Sequence, residues 1–174
     1  MVALLMLVGC THQPRAVVST TPTTAPVDAT LDSAAYNESV QATVSPPVGW
    51  RADPLKSSSD HAHQVWVSPS GRTAFGVIRF NLPLPVGHEW ALVGFMQNMK
   101  KSEGEGVLVS KQWDDTLPGI RFVADGGRYR VRTNLQVRGR SGWATYAGTL
   151  LAEPINDTEL ATAERAREAT RMGK

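Results

Sequence analysis

Apolar and polar residues alternate along most of the chain from Val40 onward, as they do in strands that bury one face. The alternation predicts strands at residues 40–44, 63–68, 73–80, 107–113, 120–124, 128–137 and 142–151. Pro69-Ser70-Gly71 and Gly126-Gly127 have the residue types of tight turns between such strands. Because short connections join antiparallel strands, the pattern predicts an antiparallel sheet.

Two segments have the periodicity of helices instead. The first covers residues 88–101, and the second covers residues 157–172 with Asn156 or Asp157 as its N-cap. The stripe that we expect the first helix to bury consists of Trp90, Val93, Met96 and Met99, widened by Leu92 and Phe95. The order β-β-β-α-β-β-β-β-α places the domain in the α+β class, with an antiparallel sheet of about six or seven strands flanked by helices.

The chain contains five tryptophans, Trp50, Trp66, Trp90, Trp113 and Trp143. We expect most of them in the core, because large aromatic side chains dominate burial in a domain of this size. Trp50 follows Pro46-Pro47 closely, so an exposed contact with a ligand or partner is the alternative for this residue.

The first ten residues, MVALLMLVGC, form an apolar run that ends at the single cysteine, Cys10. The run is shorter than the roughly 20 residues of a membrane-spanning helix. It fits the apolar region of a signal peptide, which has about 7–15 residues. Its ending, Leu7-Val8-Gly9-Cys10, resembles a bacterial lipobox, at which a secreted precursor is lipidated on cysteine and cleaved. No Lys or Arg precedes the run, so we expect the true start to lie upstream. The alternative to lipidation is that Cys10 is an ordinary buried thiol in an N-terminal strand.

A Thr/Pro/Ala-rich stretch at residues 11–38 follows the expected lipidation site. It has too few large apolar residues to offset the entropy of ordering, and it predicts a disordered tether. Residues 39–174 are then one α+β domain. Thr11 is not the Asp that, by resemblance, favours inner-membrane retention. The expected location is therefore the bacterial cell envelope, with the outer membrane facing the periplasm favoured.

Composition excludes several function classes. With Cys10 lipidated, the domain has no thiol for disulfides, iron–sulfur clusters or Cys-type zinc sites, and we expect no cofactor. The formal net charge is only +2, which together with the compartment argues against a nucleic-acid partner.

The sequence "VSPPVGW", a polar loop, "VWVSPSGRTAFGVIRF", a middle helix, a late meander and a final helix together resemble the PsbP/Mog1-like domains. Pro47-Val48-Gly49-Trp50 is the part that recurs in bacterial lipoproteins of this type. The resemblance implies an α/β/α sandwich with an antiparallel sheet. It also implies an accessory or binding module that docks on another envelope component, and not an enzyme.

The strand at residues 128–137 is the sharpest candidate for a binding surface. Alternation places Arg128, Arg130, Arg132 and Arg138 on one face, together with Asn134 and Gln136. Arginine binds phosphate and carboxylate through two parallel hydrogen bonds, so this face predicts contact with an anionic surface or an acidic envelope protein. The alternative is a solvated face whose charges are offset by carboxylates on neighbouring strands or on the final helix.

Two further hypotheses concern Asp60-His61-Ala62-His63. In an extended backbone both imidazoles point to one face, so His61 and His63 are candidates for a metal-binding or small-ligand site, with Asp60 or His88 completing it. Hydrolytic chemistry by Ser57-Ser58-Ser59 with these histidines ranks third, because no nucleophile elbow or oxyanion loop is recognisable.

Overall fold

A computed structural model describes residues 30–114 and 119–173 of the chain. Residues 1–29, which include Cys10 and most of the predicted tether, lie outside this range. In chain order the elements are β1 (Ala35–Asn37), β2 (Ala42–Val44), β3 (Arg51–Ala52), β4 (Lys56–Ser57), β5 (His61–Val67), β6 (Thr73–Asn81), α1 (His88–Glu103), β7 (Gly106–Asp114), β8 (Gly119–Gly126), β9 (Tyr129–Arg138), β10 (Ser141–Leu150), α2 (Asp157–Ala169) and β11 (Arg171–Met172).

The main sheet has eight strands in the order β3-β5-β6-β10-β9-β8-β7, with β4 also pairing with β5. All of its pairings are antiparallel. This confirms the α+β class and the antiparallel sheet, but the predicted strand number is wrong. The main sheet includes the short strands β3 and β4, which were not predicted, and so has eight strands. The strand predicted at residues 40–44 is β2, which belongs to a separate sheet, β1-β2-β11. Neither described helix has the length and apolar composition of a membrane span.

Helix α1 packs on one face of the main sheet, where its Leu92 and Met99 join Phe80, Ile120 and Leu135 in a buried cluster. Leu92, Phe95, Met96 and Met99 are the residues that contact this cluster, at the i, i+3, i+4, i+7 spacing of an amphipathic helix. The predicted stripe is confirmed at these four positions and is wrong at Trp90 and Val93, which are exposed. Gly104 in the left-handed conformation (φ 79°) ends the helix.

Helix α2 lies over the opposite face of the sheet. Its Leu160, Ala163 and Ala166 pack with Phe75 and Val77, whose neighbours along β6 face α1. The Asn156 side chain accepts a hydrogen bond from the Glu159 backbone N–H at 3.2 Å and so caps the helix. The helix ends at Ala169, not at residue 172, because the chain turns extended at Thr170 and forms β11.

The small sheet pairs β2 with β1 on one side and with β11 on the other. Residues 30–38 belong to the stretch predicted as a tether, and they contain β1 and a bridge between Leu31 and Pro47. The buried indole of Trp143 on β10 donates a hydrogen bond to the Val40 carbonyl at 3.1 Å, which joins the small sheet to the main one.

Candidate functional site

Strand β9 places Arg130, Arg132, Asn134 and Gln136 on alternate positions, as predicted from the sequence. The face that they share is not uniformly solvated. Asn134 and Gln136 are buried, whereas Arg130 and Arg132 are half-buried. Helix α2 covers the middle of the strand, because Arg167 of α2 donates a hydrogen bond to the Asn134 side-chain carbonyl.

Two of the four predicted arginines pair with carboxylates away from α2. Arg130 contacts both Asp125 oxygens, with Nε and Nη2 donating at 2.7 and 2.9 Å. These hydrogen bonds and the opposite charges lower the pKa of Asp125 and raise the pKa of Arg130. Arg128 lies 3.7 Å from Glu103, the last residue of α1, and also over the Tyr129 ring. Both side chains are therefore already engaged with the protein.

Arg132 belongs to a network that connects β9 to α2. Its Nη1 lies 3.5 Å from Glu164, and the Arg167 Nε donates to the other Glu164 oxygen at 2.7 Å. Glu168, which is largely exposed, contacts Arg167 at 3.4 Å. The Glu164 carboxylate thus pairs with the guanidinium groups of both Arg132 and Arg167. Since a guanidinium has five N–H donors and 41% of the Arg132 side chain is exposed, this residue retains donors that face solvent.

A cleft with a volume of about 230 Å³ opens beside this network. Its lining includes Arg121 of β8, Arg132 of β9 and Arg167 of α2, together with Ser110 and Gln112 of β7. The cleft lies on the sheet face that carries α2, beside the helix and over the outer strands β7 and β8. It therefore brings three arginines from three elements to one concave surface, which we call the arginine cleft.

Arg138, the fourth predicted arginine, is exposed at the far end of β9, near Gly173 at the end of the described chain. The structure thus separates Arg128 and Arg138 from Arg132. Sequence reasoning missed Arg121 and Arg167, although the alternation of β8 and the polar face of α2 place both residues on the side of the sheet that carries Arg132.

His63 is buried in the main sheet, and its Nε2 hydrogen-bonds the Tyr146 hydroxyl at 2.8 Å. Burial lowers the pKa of His63 from 6.5 to about 4, and the positive charges of Lys56 and His61 act in the same direction. Burial also raises the pKa of Tyr146. A neutral imidazole paired with a neutral phenol is a structural contact between β5 and β10.

His61 contacts a different partner, the Ser58 hydroxyl, with 2.7 Å between Nδ1 and Oγ. The same Oγ accepts hydrogen bonds from the backbone N–H groups of Asp60 and His61, so it stabilises the turn before β5. His88 accepts a hydrogen bond from the Val137 backbone N–H at 3.2 Å. Among the residues that the structure describes, no group of three or more His, Cys, Asp or Glu side chains is placed to hold a metal ion.

Most of the five tryptophans were expected in the core, but two of them are at the surface. Trp90 on α1 is 74% exposed, and Trp113 on β7 is 54% exposed. Trp113 makes an edge contact with the His88 ring, with 5.6 Å between the ring centroids. The remaining three are half-buried or buried, Trp66 stacking on Phe75 and Trp143 lying within the sheet interior.

The sequence was compared with protein-family models and with curated proteins, and neither comparison finds a match.

Proposed function

We propose that this chain is a bacterial envelope lipoprotein whose single folded domain is a non-catalytic binding module. In this proposal, a lipid on Cys10 anchors the chain to the membrane, with the outer membrane facing the periplasm favoured. The support is the apolar run that ends in Leu7-Val8-Gly9-Cys10, followed by a Thr/Pro/Ala-rich stretch. The placement of α1 and α2 on opposite faces of an antiparallel sheet supports a PsbP/Mog1-like sandwich as the fold of the module.

The arginine cleft is the observation that carries the binding function. Arg121, Arg132 and Arg167 line it, and guanidinium groups bind carboxylates through two parallel hydrogen bonds. Arg167 is held in place by Asn134, Glu164 and Glu168, whereas 41% of the Arg132 side chain is exposed. At about 230 Å³ the cleft is smaller than the roughly 300–1,000 Å³ of pockets that enclose small molecules. This size suits single carboxylate side chains presented by a larger partner. We therefore propose an acidic envelope protein as the component on which the module docks.

The alternative, a metal- or small-ligand-binding domain, has less support. It relies on His61 and His63, and these side chains hydrogen-bond Ser58 and Tyr146 respectively. A hydrolytic role for Ser58 is weakly supported as well, since its hydroxyl oxygen accepts two backbone hydrogen bonds within a turn.

An in-cell crosslink followed by affinity purification of the lipidated chain tests the proposed function. The test variant is Arg132→Glu, and the matched control is Arg138→Glu, which makes the same charge change on the same strand outside the cleft. We expect one envelope partner to be lost in Arg132→Glu and retained in Arg138→Glu. A partner retained by both variants would place the interface elsewhere, and the absence of any enriched partner would contradict the binding-module proposal.

Lipidation is tested separately, by labelling growing cells with a radioactive or alkyne-tagged fatty acid. We expect the label on the parent chain and not on Cys10→Ala, which should also leave the membrane fraction. A labelled Cys10→Ala chain, or an unlabelled parent, would contradict the anchor.

A further inference from the structure

Strand β7 forms one end of the main sheet. It is nine residues long, and within residues 30–114 and 119–173 it pairs with β8 alone. Its outer edge consequently presents backbone donors and acceptors that no described strand uses. The exposed side chains of Val107, Leu108, Val109 and Trp113 also lie on this strand. Such an edge is a template for an additional strand.

A bulge divides the edge into two parts. The register with β8 shifts between Leu108 and Ser110, which leaves Val109 as the extra residue. Bulges interrupt regular pairing and protect an edge from indiscriminate association. Residues 110–113 follow the bulge and pair regularly with β8. An added strand therefore finds a regular edge at this part of β7.

The regular part of β7 borders the arginine cleft. Ser110 and Gln112 line the cleft, and Gln112 pairs directly with Arg121 on β8. On the opposite face, Lys111 forms an ion pair with Glu89 of α1 at 2.9 Å, and Trp113 is exposed beside His88. A strand added to β7 would thus have arginines near one of its faces and an exposed indole near the other.

We propose that the partner contributes an extended segment that pairs with residues 110–113 of β7 as an additional strand. This inference rests on the proposed function and specifies its partner. Because side chains alternate along a strand, the segment has acidic residues on the face toward Arg121 and Arg132. Its apolar residues lie on the face toward Trp113.

Charge complementarity favours such a segment over a second copy of this chain. The β7 residues that line the cleft are Ser110, Lys111 and Gln112, and none of them carries a carboxylate. A second β7 would bring these residues, and no carboxylate from them, toward Arg132. An acidic strand instead brings carboxylates to the open side of the cleft, where the positive charges of Arg121 and Arg132 attract them.

The test uses the full chain and a fluorescent seven-residue peptide in which valine and glutamate alternate. A second peptide has the same side chains but N-methyl groups on alternate backbone amides, so it keeps the charge and loses strand pairing. A third has lysine in place of glutamate. We expect binding of the first peptide, at least tenfold weaker binding of the other two, and slower amide hydrogen exchange at residues 110–113. Arg132→Glu should weaken the binding of the first peptide about tenfold, and Arg138→Glu should leave it unchanged.

Equal binding of the first two peptides would overturn strand addition. If Arg132→Glu still weakened the binding of both peptides, the cleft would remain an anion-binding site without strand pairing. No binding of the first peptide, or unchanged exchange at residues 110–113, would also overturn the inference, whereas the in-cell crosslink decides the proposed function independently. Sedimentation of the full chain tests for self-association. A dimer that Trp113→Lys dissociates would overturn the acidic partner segment and show instead that two copies of β7 pair.

Discussion

Acid is predicted to destabilise the fold through one side chain, His63. It lies within the sheet, 4% exposed, with the Tyr146 hydroxyl as its hydrogen-bond partner. Burial is the main cause of its lowered pKa, which falls from 6.5 to about 4. Because the folded protein holds the imidazole neutral and the unfolded chain does not, protons bind preferentially to the unfolded chain in the window between these values.

The sign and size of the effect follow from this difference. The stability that the neutral His63 provides is complete above pH 6.5, falls as the pH drops through the window, and is fully lost below pH 4. Linkage with pKa values of 6.5 and about 4 gives a loss of about 2 kcal/mol at pH 5 and about 3 kcal/mol at pH 4, relative to neutral pH.

Urea unfolding of the full chain, followed by tryptophan fluorescence at pH 7.5 and pH 5.0, measures the loss. Other groups also titrate, so the quantity of interest is the difference between the parent and His63→Gln. We expect the parent to lose about 2 kcal/mol more unfolding free energy than this variant. His61→Gln is the matched control, two positions away, and should lose nearly as much as the parent, because burial is the largest cause of the lowered His63 pKa.

Tyr146→Phe separates burial from hydrogen bonding. It removes the hydroxyl but keeps the ring, so the acid sensitivity should persist because burial is the larger cause of the shift. An equal loss of stability in the parent and in His63→Gln would refute the reasoning, since it would mean that His63 is protonated in the folded state.

Three further predictions concern the free energy of unfolding. Gly76→Ala should cost about 1–3 kcal/mol in urea unfolding, because a Cβ there would lie 2.3 Å from the Tyr146 ring; an unchanged midpoint would show that the ring moves aside without cost. Asn156→Ala should lower the unfolding free energy by about 1 kcal/mol through loss of the α2 cap, and Asn156→Asp, which keeps the acceptor, is its control. On α1, Leu92→Ala should cost about 2–5 kcal/mol and Trp90→Ala less than about 0.5 kcal/mol, and the reverse order would contradict the observed phase of the helix.

The long strands could be predicted from the sequence because alternation is a local signal. Each end of strands β5 to β10 lies within two residues of its predicted position. The two-residue strands β3, β4 and β11 have no pattern of their own, since each is defined by a partner elsewhere in the chain. Their positions depend on tertiary pairing, which spacing does not encode.

The buried stripe of α1 was predicted too wide for a related reason. Four of its six predicted residues contact the core cluster, Leu92, Phe95, Met96 and Met99. Apolar residues continue around the helix through Trp90 and Val93, which are exposed, and the large size of the indole favoured Trp90 for the core. The choice is made by the β8 and β9 side chains that receive the helix, such as Phe122, which packs edge-on against Phe95.

The arginine face was predictable only as far as one strand. Alternation along β9 correctly placed Arg130 and Arg132 together, because that rule needs no knowledge of neighbours. The cleft also needs Arg167, which comes from the last helix, and Arg121 from the adjacent strand. Which carboxylate reaches which arginine depends on how α2 lies across the sheet, and no sequence pattern specifies that.

The pairing of β11 with β2 has a consequence for synthesis. Met172 pairs with Ala42, so the small sheet joins nearly the two ends of the described chain. Because β11 follows every other described element in the chain, this sheet cannot close until β11 has been made and has left the ribosome. Contacts between such distant segments also slow folding. The fold therefore stays incomplete at the small sheet while the main-sheet strands are made, which suits a chain that threads through a translocon before it folds, as the proposed route to the envelope requires.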